Sequence, residues 1–165
     1  MRPSTTWSKA TGLGRGSLYG AFGGKHELFL RAFGRYGVDG AGKCPLAQPG
    51  AGRAGIITFF REAGREALAD RDRRGCMVTN CAVELASADT QVAALVARHL
   101  DRLERGFEAA VREAQARGEI AAGRDPVRVA RFLTVCLQGL QVLARARPDA
   151  AWLEDVVAAV DEALG

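Results

Sequence analysis

The stretch from Ala10 to Phe29 reads ATGLGRGSLYGAFGGKHELF and decides the fold of the N-terminal part. Its glycines form two turn signals, Gly12-Leu13-Gly14 and Gly23-Gly24. Between the turns, Arg15–Phe22 is long enough for a short helix. After the second turn, apolar residues recur at helical spacing: Leu28, Phe29, Ala32, Phe33 and Tyr36. The sequence therefore predicts two short helices joined by a tight turn.

Positive charge is concentrated around this stretch. From Met1 to Lys43 there are seven basic and two acidic residues, a balance of +5, whereas the remainder holds sixteen arginines and seventeen acidic residues, a balance of −1. A basic module attached to a neutral body is typical of a protein that faces nucleic acid. A merely solvated basic terminus is the alternative, and charge alone does not separate the two.

The rest of the chain is predicted to be helical. Apolar residues make up 48% of the 165 residues and are mostly Ala, Leu and Val, whereas aromatic residues make up 7%. Ala and Leu favour helices, and no segment alternates as a strand does. Asp89 and Asp125-Pro126 are helix-start signals. The expected helices are Ile56–Leu68, Met77–Ala86, Thr90–Arg117, Pro126–Arg147 and a last one after Pro148-Asp149.

Other features exclude several classes of function. The four cysteines form no C-x-x-C pair and the chain has two histidines, so we expect no metal site and no cofactor. Cys76 and Cys81 are interpreted as buried structural thiols, with a redox pair as the alternative. The glycine run at Gly12–Gly16 lacks the preceding strand of a dinucleotide site, and no catalytic triad is present, so an enzyme is not expected. Without a signal peptide or an apolar run long enough for a membrane, the predicted location is the cytoplasm.

The stretch from Ala10 to Leu28 resembles the helix-turn-helix of TetR-family transcription regulators, whose pattern is approximately A-x-G-v-s-x-G-t-l-Y-x-h-F-x-s-K-e-x-L. The segment Gly75–Asn80, followed by Glu84-Leu85, is also similar to the sensor domain of one TetR subgroup. The resemblance implies an all-α fold with a DNA-binding region at 1–36, a linker at 37–55, and a sensor and dimerisation domain at 56–165. The matching positions are Gly12, Gly16, Leu18, Tyr19, Phe22, Lys25 and Leu28.

The resemblance also assigns roles in binding a DNA duplex. Tyr19 and Lys25 would hydrogen-bond phosphates, which positions the helix without reading sequence. Arg15 and Ser17 would contact base edges, because the outer face of a recognition helix must enter the major groove. The complete set of expected DNA-binding residues is Thr5, Thr6, Arg15, Gly16, Ser17, Tyr19 and Lys25.

The N-terminus departs from the family pattern. The family has a full helix before the helix-turn-helix and a longer, more apolar first helix within it, whereas only Met1–Lys9 precede Ala10 here. We therefore expect a truncated or frame-shifted start that lacks the first helix. On that expectation the leading function is a ligand-responsive regulator, a repressor released by a small molecule. The alternative is a dimeric helical ligand-binding remnant that has lost DNA binding.

The sensor domain is expected to hold an apolar pocket between helices. Gln138 and Gln141 lie in an otherwise apolar helix, and each needs a partner, because an unpaired buried amide is costly. The partner is a ligand, the other subunit or a neighbouring carbonyl. The candidate ligand-binding residues are Phe60, Met77, Asn80, Cys81, Glu84, Leu103, Phe107, Gln138 and Gln141.

The last two helices carry apolar residues on more than one face, which indicates a second packing partner besides the core. The resemblance implies a homodimer in which these helices form a four-helix interface. The candidate interface residues are Val129, Phe132, Leu133, Cys136, Leu140, Trp152, Val156 and Val160.

Overall fold

The computed structural model describes residues 12–36 and 44–165, except for the side chains of Arg15 and Leu18. Within these residues all regular secondary structure is helical, which confirms the predicted all-α class. The chain divides into two compact units, Met1–Val38 and Asp39–Gly165. Thr5 and Thr6, two of the predicted DNA-binding residues, lie outside the described residues.

The first unit contains helices α1 (Arg15–Phe22) and α2 (Lys25–Arg35), as the glycine turns predicted. Gly23 ends α1 with φ 80° and Gly24 follows with φ 132°, both in the left-handed region that favours glycine. The Arg31 guanidinium lies 5.6 Å from the centre of the Phe22 ring and holds α2 against α1. The two glycines thus set the angle between the two helices.

The described part of the second unit, residues 44–165, contains five helices and one short 3₁₀ turn. Three of the helices begin at an aspartate whose carboxylate accepts two backbone N–H groups of the first turn: Asp89, Asp125 and Asp149. These caps satisfy N–H groups that the helix itself leaves unpaired. The elements are the 3₁₀ turn Pro45–Ala47, α3 (Gly52–Ala69), α4 (Met77–Glu84), α5 (Thr90–Ala116), α6 (Pro126–Ala146) and α7 (Ala150–Leu164).

The prediction of a linker at 37–55 needs correction from Cys44 onwards. Leu46 in the 3₁₀ turn is buried in the core, and so is Ala51 at the start of α3. The Glu113 carboxylate accepts hydrogen bonds from the backbone N–H groups of Gly50, at 2.7 Å, and Gly52, at 3.4 Å. The sequence is rich in Gly and Pro because the chain passes close to α5 here, and not because it is free of the body.

Helix α3 lies at the centre of the second unit and contacts α5, α6 and α7. Its residues Ile56 and Phe60 are fully buried, and the Phe60 and Phe107 rings lie 5.8 Å apart. One turn further on, Gly64 faces Leu153 of α7 so closely that a Cβ atom there would clash with the leucine side chain. The missing side chain of Gly64 therefore allows α7 to pack on α3.

Candidate DNA-binding and ligand-binding sites

The outer face of α1 is smooth. Gly16, Ser17, Gly20 and Ala21 are exposed, and open space surrounds the position of a Cβ atom at both glycines. Tyr19 borders this face and is half-buried. Among the side chains that the structure describes on this face, none is larger than serine, so the helix backbone can approach a second surface closely there.

Lys25 occupies the first position of α2 and is exposed. Backbone N–H groups at a helix start carry partial positive charge, so a lysine there opposes the helix dipole. An anion bound at this position would be attracted both by the lysine and by the N–H groups, which would offset the repulsion between them. Of the predicted DNA-binding residues, Gly16, Ser17, Tyr19 and Lys25 all retain exposed surface, while the side chain of Arg15 lies outside the described part of the chain.

Two of the predicted ligand-binding residues belong to the core instead. Phe60 and Phe107 are fully buried and pack on each other, and Phe59 meets Phe107 edge-on at 5.6 Å. Fully buried rings in such contact face no space large enough for water or a ligand. Sequence periodicity places an aromatic residue on the inner face of a helix, but it does not reveal whether a neighbour closes over it.

The remaining candidates lie on α4, α5 and α6, and several of them are hydrogen-bonded within the chain or exposed to solvent. The Asn80 side chain donates to the Arg74 carbonyl, at 2.7 Å, and accepts from Arg145, at 3.1 Å. Cys81 is buried and Glu84 is exposed. The Thr79 hydroxyl donates to the Gln138 side-chain oxygen at 2.6 Å, so one partner of Gln138 is a neighbouring side chain. Met77, Leu103 and Gln141 are half-buried.

An open groove of about 690 Å³ lies between α5 and α6, and of the nine predicted ligand-binding residues only Gln138 is among its lining residues. The other lining residues were not predicted, because helical periodicity points to the inner faces of the helices, whereas this groove lies at their flanks. A polar residue inside an apolar run, Thr134, was the available signal. The lining residues are Leu100, Glu104, Arg131, Thr134, Val135, Gln138, Gly139, Val142 and Leu143.

The predicted dimer residues divide into two groups. Val129, Leu133, Leu140 and Val160 are buried in the core of this chain, so they are not available to a partner. Phe132 is 47% exposed, and Cys136, Trp152 and Val156 are half-buried. Helix α6 packs on four helices, α3, α4, α5 and α7, so most of its apolar residues are buried within the chain. Val160 of α7 is likewise buried in the core. The exposed apolar residues of α6 are Phe132, Val135, Val142 and Leu143.

By length and composition α6 would also suit a membrane span, with a mean hydropathy of 1.3. Seven of its residues, however, are buried against the other helices of the body. Its outer face carries Arg128 and Arg131 beside the apolar residues. A core helix of a compact protein has these same properties.

Among the described residues, the pKa values of Asp70, Arg74, Cys81 and Cys136 are shifted by burial, hydrogen bonds and neighbouring charges. Burial raises the pKa of Cys81, and the nearby Glu84 and Cys76 add to this effect. Burial also raises the pKa of Cys136. Burial would likewise raise the pKa of Asp70, but hydrogen bonds from the Arg74 side chain and from the Arg74 and Gly75 backbones outweigh it and lower that pKa. The two thiols are therefore poor nucleophiles at neutral pH, whereas Asp70 organises the loop before α4.

Comparison with known proteins extends the resemblance over nearly the whole chain. Residues 57–160 match the family model described as "Tetracyclin repressor-like, C-terminal domain". The chain is 32% identical over 150 residues to a protein of Bacillus subtilis (strain 168) described as the uncharacterized HTH-type transcriptional regulator YezE, with 88% of this chain and 77% of that protein covered.

Two solved structures of the TetR family transcriptional regulator CifR, both cysteine mutants complexed with 26-bp double-strand operator DNA, have a similar fold. One has a TM-score of 0.77 at 28% identity and covers 98% of this chain and 84% of its own. The other has a TM-score of 0.81 at 25% identity and covers 99% and 86%. The helix-turn-helix glycines, the helical body and these relatives agree: this chain belongs to the TetR family of transcriptional regulators, a family of DNA-binding proteins and not of enzymes.

Proposed function

We propose that this chain is a homodimeric repressor of the cytoplasm that binds double-stranded operator DNA through α1 and is released by a small-molecule effector. The observation that carries the proposal is the smooth outer face of α1, formed by Gly16, Ser17 and Gly20, with Tyr19 at its edge and Lys25 at the start of α2. A smooth face suits entry into the major groove, and the two flanking residues suit phosphate oxygens.

Two further observations support operator binding. The excess positive charge of the chain lies in its N-terminal part, where it would attract the phosphate backbone. The CifR structures, which align with 98% and 99% of this chain, are complexes with operator DNA. In a two-fold dimer the two copies of α1 would contact successive major grooves, about 34–36 Å apart.

The surface of α6 and α7 supports a homodimer. The exposed side chains of Phe132 and Val135, at 47% and 70%, continue into Val142 and Leu143 along α6. The charged residues of α6 are all arginines, whereas those of α7 are all acidic: Glu154, Asp155, Asp161 and Glu162. Glu154 and Asp161 already pair with Arg61 and Arg53 of α3, so a two-fold axis that brings α6 of one protomer onto α7 of its partner would place the exposed Asp155 and Glu162 opposite the partner's arginines.

A selection from a random duplex library, followed by titration of the enriched duplex at two salt concentrations, tests DNA binding. We expect affinity to fall steeply with salt, because each phosphate contact releases counterions. Lys25→Ala should weaken binding to all duplexes and reduce the salt slope by about 1. Arg102→Ala, at an exposed position of α5, is the matched control and should change neither. If no duplex is enriched over the starting library, the chain is the ligand-binding protein without DNA binding, and the proposal fails.

Sedimentation equilibrium tests the dimer. The double variant Phe132→Glu with Val135→Glu should sediment as a monomer, because it places two carboxylates in an apolar interface. Val83→Glu, at a position on α4 that is 77% exposed, should leave the dimer intact. A dimer that survives the double variant would show that the interface lies elsewhere.

A further inference from the structure

We propose that Arg31 of α2 is a positioning residue for DNA binding: its guanidinium lies over the Phe22 ring, keeps α1 docked on α2, and raises duplex affinity without contacting DNA. The inference rests on the proposed function and deepens it, because it names a residue that sets how often α1 is presented to a duplex. It is carried by the weak intrinsic stability of α1 and by the contact between Arg31 and Phe22.

Helix α1 has little stability of its own. It is eight residues long, whereas isolated helices shorter than about 12–15 residues are marginal in water. Gly16 and Gly20 lie within it, and glycine is a poor helix former. Gly14 at its N-cap has no side chain to accept a first-turn N–H group, and α1 has no acidic residue in its first turn or basic residue in its last turn. Contacts with α2 must therefore hold α1 in place.

The glycines that weaken α1 are also the ones that keep its outer face smooth. Open space surrounds the Cβ position at both Gly16 and Gly20, so neither residue contributes packing. Larger residues at these positions would strengthen the helix but fill the face that is proposed to enter the major groove. A stabilising contact that leaves this face clear has to come from the side of α1 that meets α2.

Phe22 and Arg31 make such a contact. Phe22 is the last residue of α1 and is half-buried, and the Arg31 guanidinium of α2 lies 5.6 Å from the centre of its ring. This distance lies within the range of a cation–π interaction. Arg31 is exposed and forms no ion pair with any described residue, including Glu27 one turn earlier on α2. Among the described residues, the Phe22 ring is therefore the partner of this charge.

An aromatic ring suits a helix that must approach DNA. A carboxylate in its place would also hold the arginine, but it would bring a negative charge towards the phosphates of the duplex. The face of a phenylalanine ring attracts the cation and carries no net charge. The contact therefore fixes α1 and leaves the positive charge of α2 intact.

The contact controls affinity through the docked fraction of α1. Only chains in which α1 is docked can bind the duplex, so the apparent affinity is proportional to that fraction. A cation–π interaction at an exposed site shifts an equilibrium about two- to fivefold. Because a dimer presents two copies of α1 to one duplex, its affinity changes by the square of the change in the docked fraction.

NMR spectroscopy and duplex titration of the full chain test the inference together. The Cα chemical shifts of residues 16–21 report the docked, helical fraction of α1, and the titration reports affinity for the enriched duplex and its salt slope. Arg31→Gln removes the charge and keeps a good helix former. We expect it to shift the docking equilibrium about two- to fivefold towards the undocked state. Affinity should fall by the square of the loss in docked fraction, at an unchanged salt slope, because no phosphate contact is lost.

Two further variants separate the contact from the charge. Arg31→Lys keeps a cation within reach of the Phe22 ring and should retain most of the docked fraction and of the affinity. Arg35→Gln removes the same charge from an exposed position in the last turn of α2 and is the matched control. It should leave the docked fraction unchanged, and its affinity gives the effect of the lost charge alone.

Three results would overturn the inference. The first is a native docked fraction in Arg31→Gln, and the second is a loss of docked fraction without a loss of affinity. The third is a salt slope smaller than that of Arg35→Gln, which would show that Arg31 contacts a phosphate itself. If no duplex is enriched, the proposed function fails, while the chemical shifts still decide whether Arg31 holds α1.

Discussion

The close packing of α7 on α3 at Gly64 predicts that a single added methyl group will destabilise the fold. A Cβ atom at Gly64 would lie 2.1 Å from one methyl carbon of Leu153 and 2.8 Å from the other. Leu153 is 2% exposed and belongs to the core of the second unit, so any shift of its side chain disturbs its buried neighbours. Overpacking of this kind costs about 1–3 kcal/mol.

The same substitution also has a favourable component. In a helix interior alanine is more favourable than glycine by about 1 kcal/mol. Gly64→Ala should therefore change the free energy of unfolding by about 0–2 kcal/mol in the destabilising direction. Gly106→Ala in α5 is the control, because a Cβ atom there would meet Leu46 at 3.6 Å, an ordinary contact. It should stabilise the chain by about 1 kcal/mol.

Urea unfolding at one fixed protein concentration measures both variants, and the concentration matters because dimerisation adds to apparent stability. The decisive comparison repeats Gly64→Ala in a Leu153→Ala background. Leu153→Ala alone should cost about 2–5 kcal/mol because it leaves a cavity. In that background the added methyl enters vacated space, so Gly64→Ala should become stabilising. If Gly64→Ala stabilises the native chain as much as Gly106→Ala does, the packing argument is refuted.

Three further predictions follow from the loop before α4, the thiols and the helix caps. The pKa of Asp70 is lowered in the folded chain, so the contribution of its carboxylate to stability is present above about pH 4 and is lost as the pH falls through the folded pKa. In urea titrations, the difference in free energy of unfolding between the native and Asp70→Asn chains should therefore shrink below about pH 4. A difference that stays constant with pH would contradict this prediction. Burial raises the pKa of the Cys81 and Cys136 thiols. Single-cysteine chains that keep one of these two residues should therefore react with a disulfide reagent at about pH 7 far more slowly when folded than when unfolded. Equal rates would show that these thiols are not shielded. Asp149→Ala removes the carboxylate that accepts from the backbone N–H groups of Ala151 and Trp152, and it should destabilise the chain by about 1 kcal/mol. Asp101→Ala, at an exposed position of α5, should change stability by less than about 0.5 kcal/mol, and equal effects of the two substitutions would exclude the cap.

Local signals account for the features that were predicted correctly. Two left-handed glycines, Gly23 and Gly24, end α1 and begin α2 as the turn signal indicated. Asp89 and Asp125 cap α5 and α6, and the helices begin at Thr90 and Pro126 as predicted. The family followed from residue types at fixed spacing over one short stretch, which needs no knowledge of distant contacts.

The misplaced residues share a different cause. Val129 and Leu133 were assigned to the dimer, and Phe60 and Phe107 to a ligand pocket, yet all four are buried in the core. Periodicity identifies the apolar residues of a helix but not which neighbour covers each of them. The segment from Cys44 to Gly55 was taken for a linker because glycine and proline are common both in linkers and where two backbones approach closely.

The sequence by itself determined the helices, their caps, the turn between α1 and α2, and membership of the TetR family, because these depend on residues within one or two turns of each other. Only the tertiary structure decided which faces of α6 are occupied, and that Thr134 of α6 is buried with an Oγ1 atom that has no hydrogen-bond partner among the described residues. The physical reason is that burial and hydrogen bonding depend on residues far apart in the chain, and side-chain volume and helix crossing jointly determine which of them meet.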